Sequence, residues 1–175
     1  MLDPLTTKRL RLRCVRPGDA SDVSRLMTPS VSRWVISWPV PFTVEMATRR
    51  IDHALASLAG GDMLPLAIER MRDEAFLGWF SVTRSAERRA LLSYWLGEDH
   101  HGRGYMREAV AAGIPEAFRV LDVDAIEAAA QVGNERSLVV MRDYGLVSVG
   151  KEMIFAPSRN RDELCVTLEI RRPDG

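Results

Sequence analysis

The hydrophobic positions of the chain follow two periods, and each period predicts one kind of element. Between Lys8 and Val15, apolar side chains alternate with Arg9, Arg11 and Arg13, which predicts a strand with one buried face. We expect the arginine face to be solvated or salt-bridged. Short apolar or alternating stretches bounded by turn residues predict six further strands, near 63–69, 75–83, 89–96, 124–131, 146–155 and 162–170.

Apolar residues spaced three and four positions apart predict helices between these strands. Thr43 is a good N-cap for one helix, and Gly60 and Gly61 follow as its stop signal. A central helix is expected from the Gly102–Gly104 loop to about Phe118, and another from Asn134 to about Tyr144. Two short helices are expected at about 20–28 and 30–36, before a rigid aromatic loop over 34–42.

The glycine-rich loop before the central helix is a candidate anion site. The first amides of a helix lack internal acceptors, and the helix dipole favours negative charge there. Gly102 and Gly104 have no Cβ, so a ligand can approach their backbone, and Arg103 could add a charge-assisted contact. A Gly-x-Gly turn is a weak pattern by itself, because most such turns bind nothing.

Composition narrows the class of protein. Basic and acidic residues number 24 each, so no general attraction to nucleic acid or to a membrane surface is expected. No apolar run reaches the roughly 18 residues of a membrane span, and the first residues do not resemble a signal peptide. The length predicts one domain over 1–175. Cys14 and Cys165 fit neither a metal site nor a disulfide framework, which favours a reducing, cytoplasmic compartment.

The segment from Asp99 to Gly104 resembles the acyl-CoA-binding motif of the GNAT superfamily, the GCN5-related N-acetyltransferases, which reads Arg/Gln-x-x-Gly-x-Gly/Ala. Asp99 departs from that motif at its first position. Flanking features resemble the RimJ/RimL branch, which acetylates protein N-termini: Tyr94-Trp95-Leu96, Tyr105-x-x-Glu108-Ala109 and the opening segment 5–20. By this resemblance the opening strand lies far from the chemistry and has no catalytic role.

The resemblance implies an α+β fold and acetyl-CoA as co-substrate. The expected sheet is mixed, mostly antiparallel and six- to seven-stranded, with helices on both faces and a V-shaped split between strands 91–96 and 125–131. The pantetheine arm would enter the split beside small residues at 128–130, although packing under a helix explains those alanines equally well. The implied cofactor-binding residues are Tyr94, Trp95, Leu96, His101, Gly102, Arg103, Gly104, Tyr105, Met106, Asn134 and Ser137.

A second motif, Asn134-x-x-Ser137, suggests a general acid. In much of the superfamily a tyrosine seven residues after the asparagine protonates the leaving thiolate, but here that residue is Met141, which has no proton to donate. In the RimJ/RimL branch the serine of this motif is the proposed acid, and Ser137 matches it. The residue types alone also allow an N-cap at Asn134 and a tolerated helix residue at Ser137.

The general base is not fixed by the resemblance. Candidates near the inferred site are Glu98, Asp99, His100, His101 and Glu127, each of which also has an ordinary structural role as an alternative. We favour Glu127, because its strand borders the inferred split. The backbone of Tyr94 to Leu96 is expected to stabilise the developing oxyanion.

These features predict an N-acetyltransferase that moves an acetyl group from acetyl-CoA to a primary amine by direct attack in a ternary complex. The acceptor is either a protein N-terminus or a small amine, bound between walls at 34–42 and 153–161. A non-catalytic acyl-CoA sensor is the alternative that Met141 suggests, and a protein that binds another phosphate-bearing ligand is a further one. A homodimer is left open.

Overall fold

The computed structural model describes residues 2–173 and contains an eight-stranded sheet with five α-helices. Two short 3-10 helices, Pro17–Asp19 and Glu98–His100, complete the regular structure of this range. In chain order the elements are β1 Leu5–Thr6, β2 Leu10–Cys14, α1 Ala20–Leu26, α2 Pro29–Ser32, α3 Val44–Ala59, β3 Met63–Arg70, β4 Ala75–Ala86, β5 Arg89–Leu96, α4 Tyr105–Leu121, β6 Ala125–Gln131, α5 Glu135–Tyr144, β7 Val147–Ala156 and β8 Arg161–Arg171.

Local signals fix the longer helices where the sequence predicts them. The Thr43 hydroxyl accepts a hydrogen bond from the Met46 amide at 3.2 Å, which caps α3. The Asn134 side chain accepts one from the Ser137 amide at 3.4 Å and starts α5. The second short helix is only Pro29–Ser32 rather than 30–36, because the chain turns back and the Ser32 hydroxyl donates to the Trp38 carbonyl.

The sheet runs in the order β1-β2-β3-β4-β5-β6-β8-β7, and its only parallel neighbours within 2–173 are β5 and β6. This confirms the predicted α+β class and the mostly antiparallel sheet. The sheet has one strand more than the upper expectation because Leu5–Thr6 pairs with β2. Two residues are too short a segment for hydrophobic alternation to reveal.

The V-shaped split is present between β5 and β6. Their ladder contains three residue pairs, Arg89 with Ala125, Ala90 with Ile126, and Leu91 with Glu127. Beyond these pairs, residues 92–96 and 128–131 no longer face each other as partners, although each strand keeps its other neighbour. The two strands therefore diverge toward the amino end of α4 and open a gap in the middle of the sheet.

Alternation along β4 divides the core between the two faces of the sheet. Phe80 belongs to the cluster under α4 and α5, whereas Trp79 belongs to the cluster under α1 and α3. In that second cluster the Trp38 ring lies 5.5 Å from the Trp79 ring and 5.3 Å from the Trp95 ring, in edge-on contacts. The aromatic loop is thereby packed onto the sheet beside the split. None of the described helices is long and apolar enough to cross a membrane.

Candidate active site

A cavity of about 2100 Å³ occupies the split and continues under the aromatic loop. Most of its lining comes from the loop 33–39, α3, β5, the loop and first turn at 100–107, and the segment 128–141. The cavity therefore reaches both the start of α4 and the aromatic loop. The residues expected to bind a cofactor line this cavity with one exception, Arg103.

The loop before α4 has the backbone conformation that the glycines suggest. Gly102 and Gly104 have φ angles of +71° and +76°, in the left-handed region that other residues rarely adopt. Gly104 is the N-cap of α4, so Tyr105 and Met106 contribute amides that have no acceptor inside the helix. Because these four residues all line the cavity, the loop presents backbone donors to a ligand there.

Arg9 supports this loop from outside. Its Nη1 donates to the Arg103 carbonyl at 2.9 Å, its Nε donates to Glu108 at 2.7 Å, and its guanidinium lies 4.6 Å from the Tyr105 ring centre. The opening segment was expected to lie far from the chemistry, and Arg9, which directly precedes β2, contacts the glycine loop at the start of α4. Sequence alternation identified the arginine face but could not show that it folds against α4.

The other two arginines of that face behave as expected. Arg13 pairs with Asp19 and Glu69, both at 2.8 Å, and Arg11 pairs with Glu69 at 3.1 Å. Asp19 and Glu69 are 3% and 2% exposed, so these pairs compensate buried carboxylates. The predicted salt-bridged face is confirmed.

Tyr94 and Ser137 meet across the split. The Tyr94 hydroxyl lies 2.9 Å from Ser137 Oγ and donates to the Ser137 carbonyl at 3.2 Å. Burial raises the pKa of Tyr94 to about 12, partly opposed by the hydrogen bond to Ser137. The phenol therefore stays protonated at neutral pH. The sequence placed both residues in the site but did not indicate this contact, because they are 43 positions apart.

Among the residues of α5 that line the cavity, Ser137 carries the only hydroxyl group. Asn134 fixes its backbone amide through the N-cap, and Met141, one turn further along, is 1% exposed and lines the cavity. A thioether has no proton to donate, so Met141 adds apolar surface only.

The structure separates the candidate bases. Glu98, His100 and His101 line the cavity, whereas Asp99 and Glu127 do not. His101 is held by a 2.9 Å hydrogen bond between its Nε2 and the Leu96 carbonyl. Burial and the nearby arginines lower the pKa of His100, with Asp99 acting in the opposite direction.

Glu127, the favoured base, is placed in a different environment from the one expected. It belongs to the last paired position at the closed end of the split and forms an ion pair with Arg89, which also binds Glu169. Its strand does border the split, but the cavity is lined only by the residues beyond the last paired position, 128–131, and Arg89 holds the Glu127 carboxylate outside it. This geometry argues against a role as the base.

The two expected acceptor walls contact each other directly. The Ser158 amide donates to the Ile36 carbonyl at 3.1 Å, and Arg159 donates to the Val35 carbonyl at 3.3 Å. The loop 34–42 lines the cavity over most of its length, whereas Ile154 alone does so from 153–161 among the described residues. Arg159 points away to bind Glu163 at 2.7 Å. The second segment thus mainly holds the first one in place.

A split sheet with a glycine-flanked helix start at the opening defines the fold of acyl-CoA-dependent acetyltransferases, and comparison with known proteins agrees. The family model described as an acetyltransferase (GNAT) domain matches residues 9–147, so the chain belongs to the GNAT acetyltransferase family. A putative ribosomal N-acetyltransferase of Bacillus subtilis, YdaF, is 33% identical over 96% of this chain and 95% of its own length.

Two other proteins are similar to this chain, one over part of its sequence and one in its fold. The probable N-acetyltransferase YjcK of Bacillus subtilis is 30% identical over 62% of this chain, and the matched region spans 62% of that protein. The structure of Mycobacterium smegmatis RimJ in complex with CoA-disulfide superimposes with a TM-score of 0.81 at 24% identity, covering 95% of this chain and 85% of that one. The latter similarity concerns the fold.

Proposed function

We propose that the protein is an N-acetyltransferase that moves an acetyl group from acetyl-CoA to a primary amine, and that a protein N-terminus is the preferred acceptor. The observation that carries this proposal is the single cavity that joins the helix start at Gly104 to the Tyr94–Ser137 contact inside the split. The printed names of the relatives support the same class, since YdaF is a putative ribosomal N-acetyltransferase and RimJ was solved with a CoA-disulfide.

The residues present fit a CoA-type ligand. The left-handed glycines and the first amides of α4 would hold its pyrophosphate, because they offer N–H donors without side chains in the way. The unpaired edges of 92–96 and 128–131 would hold its amide-bearing arm in the manner of an added strand. Arg103 would contribute mainly through its backbone, since its side chain does not line the cavity.

Transfer then requires that the acceptor amine attack the thioester carbonyl carbon while the carbon–sulfur bond breaks. The nitrogen loses one proton and the departing sulfur gains one. Backbone amides of β5 at the split would stabilise the charge that develops on the carbonyl oxygen. An α-amino group titrates near 8, so a useful fraction is neutral at pH 7 and water in the cavity can take its proton. With Glu127 outside the cavity, we assign no side chain as the base.

Ser137 would protonate the sulfur. A carbonyl oxygen can only accept, so the Tyr94 proton points toward Ser137, either to its carbonyl or to Oγ. When the Tyr94 proton points to Oγ, the serine O–H is free to turn toward the sulfur. When it points to the carbonyl, the serine O–H donates to the Tyr94 oxygen and has to leave that bond to reach the sulfur. Tyr94 can then donate to the Ser137 oxygen as that oxygen gains negative charge, and its raised pKa keeps a proton on it throughout the physiological range.

The experiment is a thiol-release assay on the purified protein with acetyl-CoA and three acceptors: a peptide with a free N-terminus, the same peptide with a blocked N-terminus, and a small amine. We expect release coupled to acetylation of the free peptide, detected by its mass. Binding of CoA without any turnover would identify a sensor instead, the function that Met141 alone would favour. Transfer only to hydroxyl groups would contradict the amine acceptor.

Cys14 and Cys165 form no disulfide, which supports a reducing compartment such as the cytoplasm.

A further inference from the structure

Arg50 on α3 is a cation in the cavity wall that has no carboxylate partner among residues 2–173. Its guanidinium lies 4.1 Å from the Trp38 ring centre and donates to the Ser37 carbonyl at 2.5 Å. Within residues 2–173, no carboxylate oxygen lies within 4.0 Å of its guanidinium nitrogens. The neighbouring Arg49, by contrast, forms an ion pair with Glu45 at 2.8 Å. Burial lowers the pKa of Arg50, which reflects the cost of keeping this charge away from water.

The surrounding wall does not supply the missing negative charge. The cavity-lining residues between 30 and 63 include Arg33, Arg49, Arg50 and His53, and no aspartate or glutamate. The strands β6 and β8 contribute neutral groups such as Ala129, Gln131 and Cys165. Two carboxylate residues, Glu98 and Glu135, line other parts of the cavity, and neither forms an ion pair with Arg50. Glu163 lies near this wall, but Arg159, Arg161 and Gln131 already bind its carboxylate.

A half-buried, unpaired guanidinium in an aromatic cavity is suited to an anionic ligand. Arginine has five N–H donors in a planar fork, and the Ser37 carbonyl uses one of them. The remaining donors can take both oxygens of a carboxylate, and such charge-assisted pairs are stronger where water is excluded.

We propose that Arg50 binds a carboxylate of the acceptor molecule, so that the enzyme prefers amines that carry a carboxylate a few bonds or residues from the attacking nitrogen. This inference rests on the proposed function. The carboxylate has two possible sources: an acidic side chain near a protein N-terminus, or the α-carboxylate of a free amino acid.

The competing explanation is that Arg50 only fastens the aromatic loop through Ser37 and Trp38. The two roles differ in one measurable respect. A loop fastener affects every acceptor equally, whereas a carboxylate site affects only acceptors that carry the charge.

The test compares the kcat/KM of two peptides that differ in one residue, aspartate or asparagine at the second position, with amidated C-termini. A charge-assisted hydrogen bond predicts that wild type favours the aspartyl peptide about 10- to 100-fold. Arg50→Met should bring this ratio close to one, and Arg50→Lys should retain part of it. Arg119→Gln removes the same charge from the outer surface of α4, where Arg119 binds Glu116, and should leave the ratio unchanged.

Equal kcat/KM for both peptides in wild type would overturn the inference while leaving the acetyltransferase proposal intact. A ratio that survives in Arg50→Met, with both peptides slowed alike, would show the loop-fastening role instead. Free aspartate and alanine, added as acceptors, distinguish the two carboxylate sources. If wild type acetylates no amine at all, the proposed function fails. Binding of the two peptides to the CoA-saturated protein is then measured by calorimetry, and the ratio of their Kd values tests the role of Arg50.

Discussion

Replacing Ser137 by alanine is the sharpest test of the chemistry proposed here, because the structure separates its effect on folding from its effect on turnover. The substitution removes one 2.9 Å contact with Tyr94 but leaves the Tyr94 hydroxyl its 3.2 Å bond to the Ser137 carbonyl. No buried donor is orphaned, so the expected loss in free energy of unfolding is about 0.5–1.5 kcal/mol. The N-cap from Asn134 is untouched, since it uses the backbone amide.

The expected kinetic effect is larger than the structural one. General acid catalysis contributes about 10²–10⁴-fold in general, and a thiolate leaves readily, so Ser137→Ala should lower kcat by roughly 10- to 100-fold. The Kd for acetyl-CoA should stay within a few-fold. Tyr94→Phe should cost kcat less, because Ser137 keeps its own proton, and it should have no further effect in the Ser137→Ala background. Single-turnover kinetics with calorimetric Kd values measure all of these quantities.

The leaving group provides an independent check. An acyl donor whose thiol is more acidic than that of CoA needs less protonation, so the Ser137→Ala defect should shrink with it. A kcat that is unchanged in Ser137→Ala would remove the residue from the mechanism. Affinity lost with kcat preserved at saturation would reassign the hydroxyl to cofactor binding. Fully additive effects of the two substitutions would mean that Tyr94 does not act through Ser137.

Three further outcomes are expected. Arg9→Met should raise the Kd for CoA by about fivefold in calorimetry, because the Arg103 carbonyl loses a hydrogen bond worth roughly 1 kcal/mol. Arg11→Met is the control and should leave this Kd unchanged. Equal effects of the two substitutions would refute the support role of Arg9. Gly113→Ala would place a Cβ 2.5 Å from Phe80 Cζ, so denaturant unfolding should show a net loss of about 1–2 kcal/mol, partly restored by Phe80→Leu, and no loss would contradict the packing. The pKa of Tyr94 is raised from its ordinary 10.0 to about 12, so its contribution to stability is present below pH 10 and is lost as the pH rises toward 12. The difference in unfolding free energy between wild type and Tyr94→Phe should therefore fall by on the order of 2 kcal/mol over that window. A difference that stays constant from pH 10 to 12 would refute this prediction.

Most of the fold could be predicted from the sequence because local sequence signals mark most of its helices and strands. The caps at Thr43 and Asn134 and the alternation of the longer strands each depend on a few neighbouring residues, and the family resemblance supplied their order. Leu5–Thr6 was missed because two residues cannot display a period. The helix expected over 30–36 was too long because the Ser32–Trp38 hydrogen bond, which turns the chain back, is a tertiary contact that helical spacing does not report.

The site was predictable where it depends on backbone shape and less so where it depends on long-range pairing. The positive φ angles at Gly102 and Gly104 follow from residue type. Glu127 is the favoured base because its strand borders the split, yet the point where the ladder between β5 and β6 ends depends on register. Glu127 falls in the last pair, where Arg89 binds its carboxylate outside the cavity. The contact of Arg9 with the Arg103 carbonyl joins residues 94 positions apart, and no local pattern encodes it.

The short ladder between β5 and β6 also divides the sheet into two blocks that are each continuous in sequence. Strands β1 to β5 pair with their neighbours in chain order, β6 to β8 form the other block, and three residue pairs join them. The junction is weak because its ladder is short and not because its partners are distant in sequence, since Arg89 and Ala125 lie closer along the chain than Leu10 and Arg70 of β2 and β3. With three residue pairs at its junction, the molecule can lose this ladder while both blocks keep their own pairing. Its junction is accordingly a hinge line, and amide hydrogen exchange should detect opening there at a lower free energy than within either block.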